Sequence, residues 1–161
     1  MNRKIVLIIV AVSTLGLIGL GSFPADDLEV ISYAPDYNVT LGYIATTEHS
    51  LPEDRFLIAL AENNINEYCQ SNNIQWRFHF MIKCAEGQAQ IAHDLTREFA
   101  ENGTRLVGGY GWSSFLCSGA RTIAKDYNMS LISISSTSPI MAVPDTAFRL
   151  CPTDLGQVDP I

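Results

Sequence analysis

The groups in this 161-residue chain best able to act on a small molecule are serine and threonine hydroxyls, gathered in two short stretches. The first is Val107-Gly108-Gly109-Tyr110-Gly111-Trp112-Ser113-Ser114, and the second is Leu131-Ile132-Ser133-Ile134-Ser135-Ser136-Thr137-Ser138-Pro139. Three chemistries are open to such residues. For nucleophilic catalysis, Gly111-Trp112-Ser113-Ser114-Phe115 approaches the G-x-S-x-G elbow, in which a strained strand-to-helix turn exposes the serine. Phe115 stands where that turn wants Gly. His49, His79 and His93 all precede Ser113, whereas the base of that fold follows its serine. An α/β hydrolase would therefore need a histidine beyond Ile161. For phosphate binding, neither G-x-x-x-x-G-K-[ST] nor G-x-G-x-x-G follows the first strand, and neither hydroxyl-rich stretch holds a Lys or Arg. The third option is recognition without chemistry. Hydroxyls both donate and accept, so with the N–H groups of two helix starts they suit the carboxylate and ammonium of a small zwitterionic or polar solute. Trp112 adds a flat apolar face. A serine taken alone reads equally well as a helix cap or as filler at a crowded strand end. Two clusters on strands expected to be neighbours point to a crevice.

Both stretches begin as apolar strands and end where a helix starts, so strands and helices must hold them in register. Val39 to Ala45 is a short apolar run that predicts a buried strand. Glu53 to Gln70 places Leu57, Leu60, Ala61, Ile65 and Tyr68 on one helical face. From Ile74 to Lys83, Ile74, Trp76, Phe78, Phe80 and Ile82 alternate with polar or longer side chains, which predicts a strand wet on one face. A central parallel strand would be apolar throughout, so this one is expected at a sheet edge, with His79 on its wet face. Gln88 to Ala100 predicts a helix stopped by Asn102-Gly103. A strand follows at Arg105–Gly109, then a helix capped by Ser113 or Ser114 and ending near Asn128. Next come a strand at Leu131–Ser135, a helical turn begun by Ser138-Pro139, and a last strand within Ala147–Cys151. Alternating strands and helices predict a three-layer α-β-α, doubly wound parallel sheet of order 2-1-3-4. Its ligand side lies at the carboxyl ends of the first, third and fourth strands.

The remaining features bound compartment and partners. The net charge is −7 with no Lys/Arg cluster, which argues against nucleic acid as a partner. Cys69, Cys84, Cys117 and Cys151 form no C-x-x-C pair and have no metal spacing with the histidines, so neither a metal nor another cofactor is expected. At the N-terminus, Arg3 and Lys4 precede an uncharged, mostly apolar run of 17 residues from Ile5 to Gly21, followed by small and then acidic residues. That order marks an export signal over residues 1–22, or an uncleaved membrane anchor forming an N-terminal hydrophobic helix. Either way the remainder lies outside the cytoplasm, with a linker over 23–38 and the fold over 39–161. Export permits disulfides and gives meaning to the sequons at Asn38, Asn102 and Asn128.

With these residues in place, Leu106-Val107-Gly108-Gly109, Trp112-Ser113-Ser114, the second hydroxyl-rich stretch and Phe148-Arg149-Leu150-Cys151-Pro152-Thr153-Asp154 resemble, in order and spacing, the branched-chain amino acid (leucine-binding) substrate-binding proteins of ABC transporters. The resemblance implies a type 1 periplasmic-binding-protein fold, two lobes closing like a hinge, of which this chain carries an incomplete first lobe. It implies that Ser113 and Ser114 hold an amino acid carboxylate, that Ser135, Ser136 and Thr137 hold carboxylate and ammonium, and that Trp112 flanks the site. It implies an extracytoplasmic component of an importer working with a membrane permease. The same fold would also serve a membrane-anchored sensor or receptor ectodomain. Some members carry a disulfide between the loops after the second and third strands. Cys84 is near the first loop and Trp112 stands at the expected second position, which leaves Cys117, about one helical turn on, as the possible partner.

Overall fold

The computed structural model of the protein describes residues 37–157, the side chains of residues 117, 118, 156 and 157 excepted. The signal or anchor over 1–22 and nearly all of the linker over 23–38 lie outside the described residues. The strands are β1 (Tyr37–Ala45), β2 (Trp76–Cys84), β3 (Leu106–Gly109), β4 (Ser130–Ser133) and β5 (Ala147–Arg149), and they form one parallel sheet of order β2-β1-β3-β4-β5. The doubly wound order expected from the sequence is thus observed, with β2 at the edge. Tyr37 and Asn38 belong to β1 and not to the linker, because they pair with Trp76 and Arg77.

The helices lie on both faces of the sheet. They are α1 (Leu51–Ser71), α2 (Ala89–Glu101), α3 (Ser113–Phe115) and α4 (Arg121–Asp126), the last two joined by a π-helical stretch, Leu116–Ala120. Successive side chains of β1 point to opposite faces. Gly42 and Ile44 face α2, and a Cβ on Gly42 would meet the Phe99 ring at 3.1 Å and Val107 at 3.0 Å, so the strand approaches closely only with glycine there. Tyr43 faces the other way and its hydroxyl donates to Asp54 of α1 at 3.0 Å. The core lies on the α2 side. Ile44, Val107 and Leu131 from three adjacent strands are fully buried with Phe99 of α2 and Phe115, Leu116, Ala120 and Ala124 of the α3–α4 run. Removing this much apolar surface from water is the main force holding the layers together.

On the other face, α1 differs from its sequence pattern. Leu57, Leu60 and Tyr68, expected inward, are exposed, as is Phe56. Ile65 turns inward as expected, and it shares that face with Asp54, Ile58, Glu62, Asn66 and Cys69. The reason is the edge strand. Asn66 brackets Phe78 of β2, its Nδ2 donating to the carbonyl at 2.8 Å and its Oδ1 accepting the N–H at 2.8 Å. Glu62 Oε2 accepts the Phe80 N–H at 2.8 Å. Backbone groups left unpaired by a missing strand are costly when covered, so polar side chains turn toward them and the helix rotates accordingly. None of the β2 side chains is fully buried, and Ile74 falls before the strand, where its N–H closes on Cys69. Among the described residues no helix is long and apolar enough to cross a membrane.

The edge-pairing role of Asn66 is open to measurement. Asn66→Ala removes two hydrogen bonds and leaves the Phe78 amide and carbonyl covered, and should destabilise the chain by about 1–3 kcal/mol in urea unfolding. Leu57→Gln, on the exposed face, should change stability by less than about 0.5 kcal/mol.

Candidate functional site

The two hydroxyl-rich turns meet at the carboxyl ends of β3 and β4, where the Tyr110 carbonyl of the first takes two hydroxyls of the second. Gly109 has φ +100, and a Cβ there would overlap the Ile44 carbonyl, so the chain can turn at this point only through glycine. Tyr110 follows with φ 49, an uncommon conformation for a side chain of its size. It is held there by complete burial and by a 2.8 Å bond between its hydroxyl and Thr96 Oγ1. Thr96 already donates to Ala92, so Tyr110 is the donor of this bond. Burial pushes the phenol far above its ordinary range. The turn aims the Tyr110 carbonyl at β4. There it accepts from Ser133 Oγ at 2.8 Å and Ser136 Oγ at 3.0 Å, while Ser133 Oγ accepts the Ser136 N–H at 2.9 Å.

The other predicted residues fall around this junction. Ser135 Oγ donates to the Gly111 carbonyl at 2.7 Å, and Ser113 Oγ accepts the Ser138 N–H at 3.2 Å. Ser113 is the first helical residue and Trp112 the N-cap, so neither Ser113 nor Ser114 is the N-cap expected from the sequence. Ser136 is fully buried and both its bonds are internal, so its hydroxyl supports the turn and does not face a solute. Thr137 Oγ1 donates to Asp154 at 3.0 Å. Arg149 reaches the Ser138 carbonyl at 3.0 Å. Arg149 and Asp154, met in the sequence only as a motif, therefore brace the second turn from β5 and beyond. Cys84 is a free thiol in this structure, and the side chain of Cys117 lies outside the described residues.

Trp112, half exposed, tilts against Phe115 at 5.6 Å between ring centroids and lies over Gly87, where a Cβ would stand 3.4 Å from the indole. Beside it opens a cleft of about 300 Å³, lined by Thr46, Thr47, Ser50, Asp54, Gly111, Trp112, Ile134 and Ser135. The loop after β1 thus forms one wall. It is a compact turn in which Ser50 Oγ donates to the Thr47 carbonyl at 3.1 Å and the Ser50 N–H reaches Thr47 Oγ1 at 3.3 Å. Sequence reasoning passed over Thr46, Thr47, Ser50 and Asp54. The available signal was their position directly after an apolar strand, at the end of the sheet where ligand loops gather. A larger cleft of about 710 Å³ lies between α4 and Val143–Thr146, and holds none of the hydroxyl-rich turns. Its Arg121 is already paired with Asp145, Nε to Oδ2 at 2.6 Å.

The architecture is shared with solved structures. One is an ABC transporter substrate-binding protein from Desulfitobacterium hafniense in complex with Leu. It is 21% identical with a TM-score of 0.61, over 74% of this chain and 36% of that one. A second structure from the same organism aligns equally, covering 35% of its own chain. The third is the branched-chain amino acid transporter substrate binding protein LivJ from Streptococcus pneumoniae in complex with isoleucine. It is 14% identical with a TM-score of 0.58, over 73% of this chain and 34% of that one. The chain has the fold of ABC transporter substrate-binding proteins. It spans about a third of their length, a partial domain. No protein-family model and no curated protein matches it.

Beneath the cleft, the Tyr43 phenol is pushed up to about 12, first by burial and then by the Asp54 charge and the hydrogen bond to it. Its pKa is raised on folding from an ordinary value near 10, so the pair contributes stability that is fully present below about pH 10 and lost as pH rises toward 12. Tyr43→Phe should flatten the fall in melting temperature over that window, as read by thermal unfolding at stepped pH.

Proposed function

We propose that the chain is part of an exported substrate-binding protein that takes an amino acid or similar small polar solute at the junction of the two turns, without chemistry, and delivers it to an ABC importer. The observation that carries this reading is the cleft at the carboxyl ends of β1, β3 and β4, walled by hydroxyls and one indole. Open α/β sheets bind ligands at that end. The likeness of the fold to proteins in complex with Leu and isoleucine adds support. Within the site, Ser113 keeps a hydroxyl hydrogen that no described residue accepts, which suits a carboxylate. Ser114 stands beside it at the helix start, Ser135 and Trp112 line the cleft, and Thr137 continues the second turn toward Asp154. Ser136 positions these groups. The partners are a membrane permease and, where the apolar segment 5–21 is retained, the bilayer itself. In the oxidising compartment this reading implies, Cys84 pairs with Cys117.

The test is a thermal-shift series on the full exported chain with the twenty amino acids and their amides. A true ligand at a hundred times its Kd should stabilise by about 2.7 kcal/mol. Ser113→Ala should weaken its binding by roughly tenfold or more, the loss of a hydrogen bond to a charged group. Absence of a shift with every compound would overturn the proposal.

A further inference from the structure

Two of the four hydroxyls around the cleft face it with defined polarity. Ser50 directs its hydrogen into the Thr47 carbonyl at 3.1 Å, and Ser135 directs its own into the Gly111 carbonyl at 2.7 Å. Neither then donates to the cleft, and each keeps acceptor capacity there, Ser50 Oγ also accepting the Thr47 N–H at 3.4 Å. Asp54 lines the same space. Its Oδ1 accepts from Tyr43, and no Lys, Arg or His among the described residues forms an ion pair with it. No Lys, Arg or His lines the cleft either. The rest of the wall is Gly111, Ile134, the hydroxyl-bearing Thr46 and Thr47, and the half-exposed indole of Trp112, whose face attracts cations. The whole chain carries a net charge of −7, which raises the local concentration of cations and not of anions.

We infer that this cleft is a subsite for a positively charged nitrogen, a protonated amine with N–H donors, and that Asp54 is its counter-ion. The inference rests on the proposed function and sharpens it. The amine becomes the required feature of the solute, and the carboxylate, held outside this cleft near Ser113, becomes secondary. A primary ammonium has three donors, and Asp54 Oδ2 with the lone pairs of Ser50 and Ser135 supply acceptors for them. A carboxylate placed here would meet the like charge of Asp54, with the Thr46 and Thr47 hydroxyls as side-chain donors and no cation beside it. An uncharged amide would lose the charge-assisted part of the interaction.

The test is calorimetric titration of the full exported chain with matched probes. These are the best amino acid from the panel above, its decarboxylated amine and its deaminated acid, which for leucine are 3-methylbutylamine and 4-methylpentanoate. The amine should retain measurable binding, and the acid should bind at least tenfold more weakly than the amino acid. Asp54→Asn keeps an acceptor for Tyr43 but removes the charge, and should weaken the amino acid about tenfold or more while leaving the acid unchanged. Tyr43→Phe keeps the carboxylate and should preserve the preference for amine over acid. If the acid binds as tightly as the amino acid, or Asp54→Asn leaves affinity intact, the inference is overturned and the proposed function stands. If Tyr43→Phe abolishes the preference as fully as Asp54→Asn, the effect is structural and the inference is again overturned. If no amino acid binds at all, both fail together.

Discussion

The site depends on the carbonyl of Tyr110. Among the described residues it is the only point at which the third and fourth strand ends are joined by two hydroxyls at once, from Ser133 and Ser136. Its direction requires the positive φ of Gly109 and Tyr110, and that conformation is stable only because the tyrosine ring is fully buried and its hydroxyl reaches Thr96. A residue held in the left-handed region costs of order 1 kcal/mol or more, so the surroundings must over-determine it. Here they do so by sealing the ring against α2. The core and the rim are therefore one structure, and packing around Phe99 and Thr96 is felt at Ser135 and Trp112.

The same trade between polar groups and packing explains α1. A helix over an edge strand faces a row of backbone donors and acceptors, and a smooth apolar stripe would leave them uncovered or unpaired. Asn66 and Glu62 act as a partial substitute for the missing strand. Asp54 lies on the same inward face, one turn from the helix start, where it meets Tyr43 and the cleft. Rotation of α1 to satisfy β2 thus also brings a carboxylate to the ligand end of the sheet. The apolar residues left outside, Phe56, Leu57, Leu60 and Tyr68, are a consequence of that rotation.

The sheet order was legible because it follows from the periods of the strands. Alternation in Phe78, Phe80 and Ile82 marked an edge, while the apolar runs of β1, β3 and β4 marked the centre. The helix continuing from Ser113 was legible too, since Leu116, Ala120, Ile123 and Ala124 recur at helical spacing and are all buried. The inward face of α1 was not. Hydrophobic periodicity assumes an apolar partner, and the partner here is a backbone edge. The distinction between Ser135 and Ser136 was also out of reach. They are adjacent, chemically identical and equally placed in the motif, yet one is exposed and the other has no accessible surface. Only the position of the Tyr110 carbonyl, set by two dihedral angles far back in the chain, separates them.

Hydroxyl polarity is the last quantity that composition hides. A serine in a sequence is both donor and acceptor, so a hydroxyl-rich rim suits anion and cation alike. Where a hydrogen has a destination the ambiguity ends. Ser50 and Ser135 give theirs to backbone carbonyls and turn lone pairs outward, whereas Ser113 accepts the Ser138 N–H and keeps its own hydrogen. The rim is thus divided into an accepting side beside Asp54 and a donating side at the start of α3. A solute with its positive and negative ends on neighbouring atoms can satisfy both sides at once, without any charged residue beyond Asp54.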